Sequence, residues 1–233
     1  MKCVNCEKFS TKIICKNCTK ILSQISLGRR NFGDFAVYYF YYYSEIQKLI
    51  LSKHHEYGYF VYRTLANLTF RRFAEKFEKE VLCSQDGAQN INTQNLNNNT
   101  SKENFKLKNE KFAQKFGCLH KNQTLANALP LDDNIRSGYS HTAILAHALK
   151  SNFITPIYRT LRAKNHVSYA GKSLAFRLKN PRNFEIFKKP KFPIILVDDI
   201  VTTGSSLLEA KKTLENAGFS VLFGLVLANA KEN

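Results

Sequence analysis

The stretch Ile194-Ile-Leu-Val-Asp198-Asp199-Ile-Val-Thr202-Thr203-Gly204-Ser205-Ser206 decides the fold class of this chain. It opens with an apolar run that begins at Phe192 and is typical of a parallel strand buried on both faces. The segment after it has helical apolar spacing, at Leu207, Ala210, Leu214 and Ala217. Gly218 caps this helix, and Phe219 to Ala228 predicts another strand. The stretch therefore predicts a β-α-β unit.

A second β-α-β unit is predicted upstream of the first. Leu125 to Leu131 and Phe153 to Tyr158 predict two short strands, and a helix opens between them near Ser140. One face of that helix is apolar, with Ile144, Leu145, Ala148 and Leu149. Repeated units of this kind predict an α/β fold, in which a parallel sheet carries helices on both faces.

Aromatic residues dominate the region before this unit. Phe35 to Tyr43 predicts one or two strands, although a tyrosine cluster can also stack on single-stranded bases. Glu45 to Leu51 predicts a helix. A longer helix follows, with apolar residues at mostly three- to four-residue spacing at Leu65, Phe70, Phe73, Phe77 and Val81. We interpret most of these aromatic side chains as core.

A polar segment interrupts the chain after these helices. Ten of the 21 residues from Ser84 to Asn104 are Asn or Gln, and such a segment buries too little apolar surface to offset the entropy of ordering it. The sequence therefore predicts a disordered insertion at 84–104. Phe105, Phe112 and Phe116, mixed with lysines, predict a short basic amphipathic helix that docks on the body or on a partner.

The residues that follow the apolar strand at 192–197 carry groups that suit a sugar phosphate. Residues 202–206 offer hydroxyls and backbone amides at a helix N-terminus, and Gly204 allows a close turn around a phosphate. Asp198 and Asp199 would repel phosphate, but carboxylates bind ribose hydroxyls well. The alternative is an ordinary strand-turn-helix with a capping Thr or Ser.

Four cysteines near the N-terminus have the spacing of a metal site. Cys3-x2-Cys6 is followed by Cys15-x2-Cys18, and each pair can form a tight knuckle with two thiolates directed at one ion. The predicted ion is a structural Zn²⁺, because four cysteines leave no open coordination position. Disulfides or unrelated thiols are the alternatives.

Length and charge set the wider limits. The 233 residues suit one domain with a small appendage, and we predict a zinc module at 1–26 and an α/β domain at 27–233. The net charge of +17 suggests a polyanionic partner or a phosphorylated ligand, unless it is only a basic surface. The longest apolar-aromatic run has nine residues, too few for a membrane span. Clustered cysteines and no secretory signal predict a reducing cytoplasm.

The motif at the end of this strand resembles the ribose-phosphate site of type I phosphoribosyltransferases, with four hydrophobic residues, two acidic residues and a Thr-Thr-Gly loop. The resemblance implies that Asp198 and Asp199 bind the ribose 2- and 3-hydroxyls of phosphoribosyl pyrophosphate. It implies that Mg²⁺ bridges those hydroxyls and the pyrophosphate. The 5-phosphate would be bound by Thr202, Thr203, Gly204, Ser205 and Ser206.

The whole arrangement, a four-Cys knuckle before this motif, resembles the ComF competence family. Lys53, Gly58 and Leu129-Pro130-Leu131 match that family's pattern, as do Gly171, Ser173, Arg177 and Asn180. Departures fall in the turn from Arg136 to His141 and at His166 and Tyr169. These positions lie where pyrophosphate and an acceptor would be held, and the remaining cationic candidates for pyrophosphate are Arg136, Arg159, Arg162 and Lys164.

The ComF resemblance implies a DNA-uptake accessory protein that binds phosphoribosyl pyrophosphate and handles single-stranded DNA during natural transformation. It implies helicase or DNA-channel partners, and through them a place at the inner membrane. The alternative is an active Mg²⁺-dependent phosphoribosyltransferase of unknown acceptor, and the sequence does not decide whether the chain is an enzyme. A plain structural zinc scaffold would not explain the Asp-Asp-x-x-Thr-Thr-Gly loop.

Overall fold

The computed structural model describes residues 1–86, 124–131, 135, 137–165, 176 and 179–231. The strands in this part of the chain are β1 (Gly28–Phe32), β2 (Phe35–Tyr42), β3 (Ala126–Pro130), β4 (Ile154–Pro156), β5 (Leu161–Ala163), β6 (Phe184–Ile186), β7 (Ile194–Val201) and β8 (Val221–Asn229). The α-helices are α1 (Lys16–Leu22), α2 (Tyr43–Leu51), α3 (Gly58–Leu68), α4 (Phe70–Asp86), α5 (His141–Ala148) and α6 (Ser205–Asn216).

Six strands form one mostly parallel sheet in the order β1-β2-β8-β7-β3-β4. Its inner pairs are all parallel, and only the edge strand β1 runs antiparallel, as a hairpin with β2. The short strands β5 and β6 pair with each other outside this sheet. Both predicted β-α-β units are confirmed, since β3-α5-β4 and β7-α6-β8 each return to the sheet in parallel.

Helices flank the sheet on both faces. Along β7, Ile195 and Val197 pack into one buried cluster and Ile194 and Leu196 into the other, because successive side chains point to opposite faces. The first cluster collects α2 to α5, and the second collects α6 with β5 and β6. This two-sided burial is the reason why the strand reads as a continuous apolar run.

The long helix predicted through Leu65 and Val81 is wrong, because the chain breaks at Thr69 into α3 and α4. Thr69 has non-helical dihedral angles, φ −120° and ψ −80°. Its hydroxyl donates a 2.7 Å hydrogen bond to the carbonyl of Leu65, and its own carbonyl accepts from the amide of Phe73. The break turns α4, so that Phe70, Phe73 and Phe77 are all buried.

The N-terminal segment packs against the body of the protein. Cys3, Ile14 and Leu22 belong to the same buried cluster as α2 and β2, and the hydroxyl of Tyr41 donates a 2.6 Å hydrogen bond to the carbonyl of Leu22. The division at residue 26 stays a prediction. Helix α4 continues to Asp86, and the rest of the predicted insertion, with the basic helix after it, lies outside the described residues.

Among the described residues, no helix combines the length and the apolar character that a membrane crossing requires.

Candidate functional site

The two acidic residues of the quoted motif lie near the carboxyl end of β7, in the middle of the sheet. Asp198 and Asp199 belong to the strand itself, and β8 and β3 run parallel to it on either side. The loop after Val201 leads directly into α6 at Ser205. Open parallel sheets bind their ligands at this edge, outside the carboxyl ends of the strands.

The loop turns at Gly204, which has a left-handed φ of +75°. A Cβ at this position would lie 2.5 Å from the ring of Phe32, so both the dihedral angle and the space exclude a side chain. The hydroxyls of Thr203 and Ser205 lie 3.0 Å apart. The first turn of α6 carries no acidic side chain, so the positive end of its dipole is not neutralised from within the helix. This arrangement suits an anion.

Asp199 is almost fully buried and is the centre of a polar cluster. Its Oδ2 lies 2.7 Å from the Nζ of Lys53 and 3.5 Å from the Nε2 of His141, and it accepts a 3.3 Å hydrogen bond from the hydroxyl of Tyr62. Burial opposes ionisation of Asp199, but the charges of Lys53 and His141 outweigh it and hold the pKa of this carboxyl below its usual range.

Asp198 has the opposite electrostatic character. Burial, and then the adjacent charge of Asp199, raise the pKa of the Asp198 carboxyl well above its usual range, with Arg182 opposing the shift. Its Oδ1 accepts a 2.8 Å hydrogen bond from the amide of Asp199. The pair therefore favours one ionised and one protonated carboxyl, and it titrates as a unit.

The β1–β2 hairpin contacts the loop between β7 and α6. Arg30 donates hydrogen bonds of 2.6 Å to the carbonyl of Thr202 and of 3.1 Å to the Oδ1 of Asn229. Its guanidinium lies 4.6 Å from the centre of the Phe32 ring, the ring that contacts Gly204. The hairpin thus fixes both the backbone and the turn of the candidate phosphate loop.

Sequence reasoning missed the partners of the acidic pair. The sequence analysis gives Lys53 a family position but no role, treats His141 as a departure from the family pattern and does not single out Tyr62. It also misses Arg30, which bonds the loop carbonyl of Thr202. Lys53 lies 146 positions before Asp199, so no local pattern connects them.

The cationic candidates for pyrophosphate differ in their surroundings. Lys164 lies 3.4 Å from Glu185, so its charge is partly compensated. The guanidinium of Arg162 lies 5.7 Å from the centre of the Phe187 ring, and its Nε is buried without a hydrogen-bond partner in the described part of the chain. Arg159 adopts a positive φ of 54°. Arg136, His166, Tyr169, Gly171, Ser173 and Arg177 lie outside the described residues.

The four N-terminal cysteines come together as predicted. The Sγ atoms of Cys3, Cys6, Cys15 and Cys18 all lie within 4.8 Å of one another. The Sγ atoms of Cys6 and Cys15 are 3.7 Å apart, which matches the roughly 3.8 Å between two thiolates on one tetrahedral ion with ~2.3 Å bonds. The cluster is compatible with a structural metal site.

Backbone amides support this cluster. The amide of Cys15 donates to the Sγ of Cys3 over 3.3 Å, and the amide of Cys18 donates to the Sγ of Cys15 over 3.4 Å. Burial opposes ionisation of Cys3, yet such bonds lower the pKa of its thiol to about 6. At Cys18 a hydrogen bond with Asn5 favours ionisation, but burial and the bonds to the other three cysteines outweigh it and raise the pKa of that thiol to about 12. Four cysteine sulfurs are a donor set that suits a soft divalent cation.

Comparison with known proteins identifies no family for this chain, because no protein-family model and no curated protein matches it. The likeness to the ComF family therefore rests on the motifs of the sequence alone.

Proposed function

We propose that this chain is a ComF-type DNA-uptake accessory protein, whose phosphoribosyltransferase-like domain binds phosphoribosyl pyrophosphate and which handles single-stranded DNA. One observation carries the proposal. An acidic pair near the end of a central parallel strand is followed at once by a loop that turns at a left-handed glycine and opens a helix without acidic residues in its first turn. Sugar hydroxyls and a phosphate are the groups that these two halves bind best.

The ligand is divided between the two halves of the motif. The hydroxyls and amides of residues 202–206 bind the 5-phosphate, and the ribose hydroxyls donate hydrogen bonds to Asp198 and Asp199. Lys53, Tyr62 and His141 keep Asp199 ionised and fixed in direction. Mg²⁺ bound with the ligand would neutralise charge on the pyrophosphate, while Asp198 and Asp199 orient the sugar.

The zinc module has a supporting role in this proposal. A structural Zn²⁺ on Cys3, Cys6, Cys15 and Cys18 completes a segment that packs on α2 and β2. Lys48 of α2 forms an ion pair of 2.6 Å with Glu7 of this segment. This ion pair links the module to the body, and the net charge of +17 on the chain attracts a polyanion such as DNA.

The alternative function is turnover by a Mg²⁺-dependent phosphoribosyltransferase. One observation favours it: the buried Nε of Arg162 has no hydrogen-bond partner among the described residues, and a departing pyrophosphate is a ligand for such a guanidinium. Catalysis would then be electrostatic and positional, because the transition state is an oxocarbenium-like sugar and no described residue of the loop is placed as an acid or base.

Calorimetry with single carboxylate variants tests the ligand assignment. Asp199→Ala removes a charge-assisted hydrogen bond of roughly 1.5–3 kcal/mol, so affinity for phosphoribosyl pyrophosphate should fall about ten- to a hundredfold. Asp34→Ala is the matched control, because the side chain of Asp34 is 87% exposed. Equal affinities of the two variants would show that the acidic pair does not bind the sugar.

Salt dependence tests the DNA half of the proposal. Single-stranded DNA should bind without sequence preference, and its affinity should fall steeply with added salt, because phosphate contacts release counterions. Binding of phosphoribosyl pyrophosphate in one small pocket should depend less on salt. Gel shifts that stay negative at low salt would remove the DNA-handling role and leave the transferase as the better proposal.

A further inference from the structure

A cleft of about 860 Å³ lies between α3 and α5, and no residue of the loop at 198–206 lines it. One wall follows a four-residue repeat, Tyr59, Arg63 and Asn67 on α3 and then Arg71 near the start of α4. His147 of α5 and Tyr158 line it as well, joined by a 3.0 Å contact between Nδ1 and the tyrosine hydroxyl. The described site uses none of these residues.

The cleft is basic without compensation. Arg63 and Arg71 are exposed, and within the part of the chain that the structure describes neither forms a hydrogen bond or an ion pair. Among the described residues, no Asp or Glu lines the cleft. Two guanidinium groups in a concave surface without carboxylates create a positive potential, and their planar N–H groups fit phosphate oxygens in pairs.

Tyr59 brings an aromatic ring to the cleft one helical turn from Arg63, and the exposed Phe60, which is not a lining residue, contacts that ring. Tyr59 is 38% exposed and Phe60 is 56% exposed, and their ring centres are 5.3 Å apart in an edge-on contact. The ring of Tyr59 also meets the buried Tyr139 edge-on, at 6.1 Å, which limits its orientations. Exposed rings next to arginines are the combination that holds bases and phosphates of a single strand.

The spacing favours linked nucleotides over one small anion. Arg63 lies on α3 and Arg71 lies near the start of α4, eight positions later and across the break at Thr69, and Tyr59 lies one turn before Arg63 on α3. A single phosphate would need only one of these arginines and would leave the exposed ring of Tyr59 unused. A strand can place successive phosphates along the repeat and a base on the ring.

We infer that the α3–α5 cleft holds a single strand of nucleic acid, with backbone phosphates on Arg63 and Arg71 and a base stacked on Tyr59. This inference rests on the DNA-handling half of the proposed function and names the surface that performs it. The zinc module and the loop at 198–206 are not part of this surface.

Fluorescence anisotropy with a labelled oligothymidine strand tests the inference. Arg63→Gln with Arg71→Gln should weaken binding at least about tenfold at low salt and reduce the slope of log affinity against log salt by about 1.4, the value for two lost phosphate contacts. The control is Lys188→Gln with Lys189→Gln, which removes the same charge from exposed positions outside the cleft. It should change affinity less than about threefold. Tyr59→Leu should weaken binding about tenfold.

The outcomes separate this inference from the proposed function. If both double variants lose the same affinity, the strand is held by net charge and the cleft is not its site. If the wild-type protein binds no strand at low salt, the DNA-handling role and the cleft both fail. Competition by thymidine monophosphate at equal nucleotide concentration would assign the cleft to free nucleotides instead. Unchanged calorimetry with phosphoribosyl pyrophosphate shows that the arginine variant is folded.

Discussion

At the residue scale, Asp199 is the point at which three elements meet. Lys53 follows α2, Tyr62 lies on α3 and His141 begins α5, and all three contact the same carboxylate oxygen. A buried carboxylate is tolerated only when it is paired and hydrogen-bonded, and here the pairing also fixes the side chain next to the loop. The same contacts thus serve stability and ligand orientation.

Replacing Lys53 tests this cluster. Lys53→Met leaves a buried carboxylate without its nearest cation, so the free energy of unfolding should fall by about 3 kcal/mol in urea denaturation. Lys48→Met is the control, because its ion pair with Glu7 is 65–70% exposed and should contribute less than about 1 kcal/mol. Adding Asp199→Asn to Lys53→Met should restore part of the loss. Equal effects of the two lysine variants would contradict the buried pairing.

Asp198 leads to the opposite prediction for stability. A carboxyl whose pKa is raised in the folded state binds a proton on folding, so its ionisation costs stability above the unfolded pKa of about 3.9. Asp198→Asn should therefore raise the melting temperature at pH 7. The gain should disappear below about pH 3.9, where the carboxyl is protonated in both states. Calorimetric scans at both pH values check it, and a melting temperature lowered at pH 7 would contradict it.

At the element scale, the β1–β2 hairpin and the loop before α6 form one unit. Arg30 bonds the loop carbonyl of Thr202, and the ring of Phe32 occupies the space that a side chain at Gly204 would need. An antiparallel edge hairpin thus shapes a loop that belongs to the parallel part of the sheet.

Two glycines separate the effect of dihedral angle from the effect of space. Gly204 and Gly33 both have positive φ, +75° and +63°, but only Gly204 faces a ring, while a Cβ at Gly33 would meet nothing within 4 Å. Gly33→Ala should cost about 1–2 kcal/mol from the left-handed angle alone, and Gly204→Ala should cost more in urea denaturation. Adding Phe32→Ala to Gly204→Ala should remove only the part of the cost that comes from the contact with the ring. Equal costs at the two glycines would mean that the ring moves away freely.

The strands were easier to predict than the site. Residues 194–197 predicted a doubly buried strand because both faces of the sheet are covered, and Ser140 predicted a helix start that its side chain does cap, by accepting from the amide of Ala143. The sequence analysis misses the break at Thr69, although the apolar residues that it names step by five there, from Leu65 to Phe70, and by three or four afterwards. Lys53 and Asp199 could not be paired from sequence, since only the packing of α2 and α3 on the sheet brings them together.

At the scale of the whole molecule, the cysteine cluster is part of the main core. Cys3 and Cys18 are buried in the same cluster as Phe73 of α4 and Leu225 of β8. A segment that shares its core with the sheet is expected to unfold together with it.

Metal removal tests this coupling. A chelator should lower the melting temperature of the entire chain in one transition, because a metal bound only to the folded state stabilises it by mass action. Protein purified without chelator should contain one zinc ion per chain. Cys15→Ser with Cys18→Ser should melt like the chelated protein and no longer respond to chelator. A full-length protein that holds no metal and melts at the same temperature with chelator would exclude the site.

The most direct test of the central claim is calorimetric titration of the wild-type protein with phosphoribosyl pyrophosphate, with and without Mg²⁺. We predict binding at one site per chain that depends on Mg²⁺ and is abolished by Gly204→Val, while the zinc content of that variant is unchanged. No Mg²⁺-dependent binding at millimolar ligand, or binding by Gly204→Val as strong as that of the wild type, would show that the loop at 198–206 is not a ribose-phosphate site.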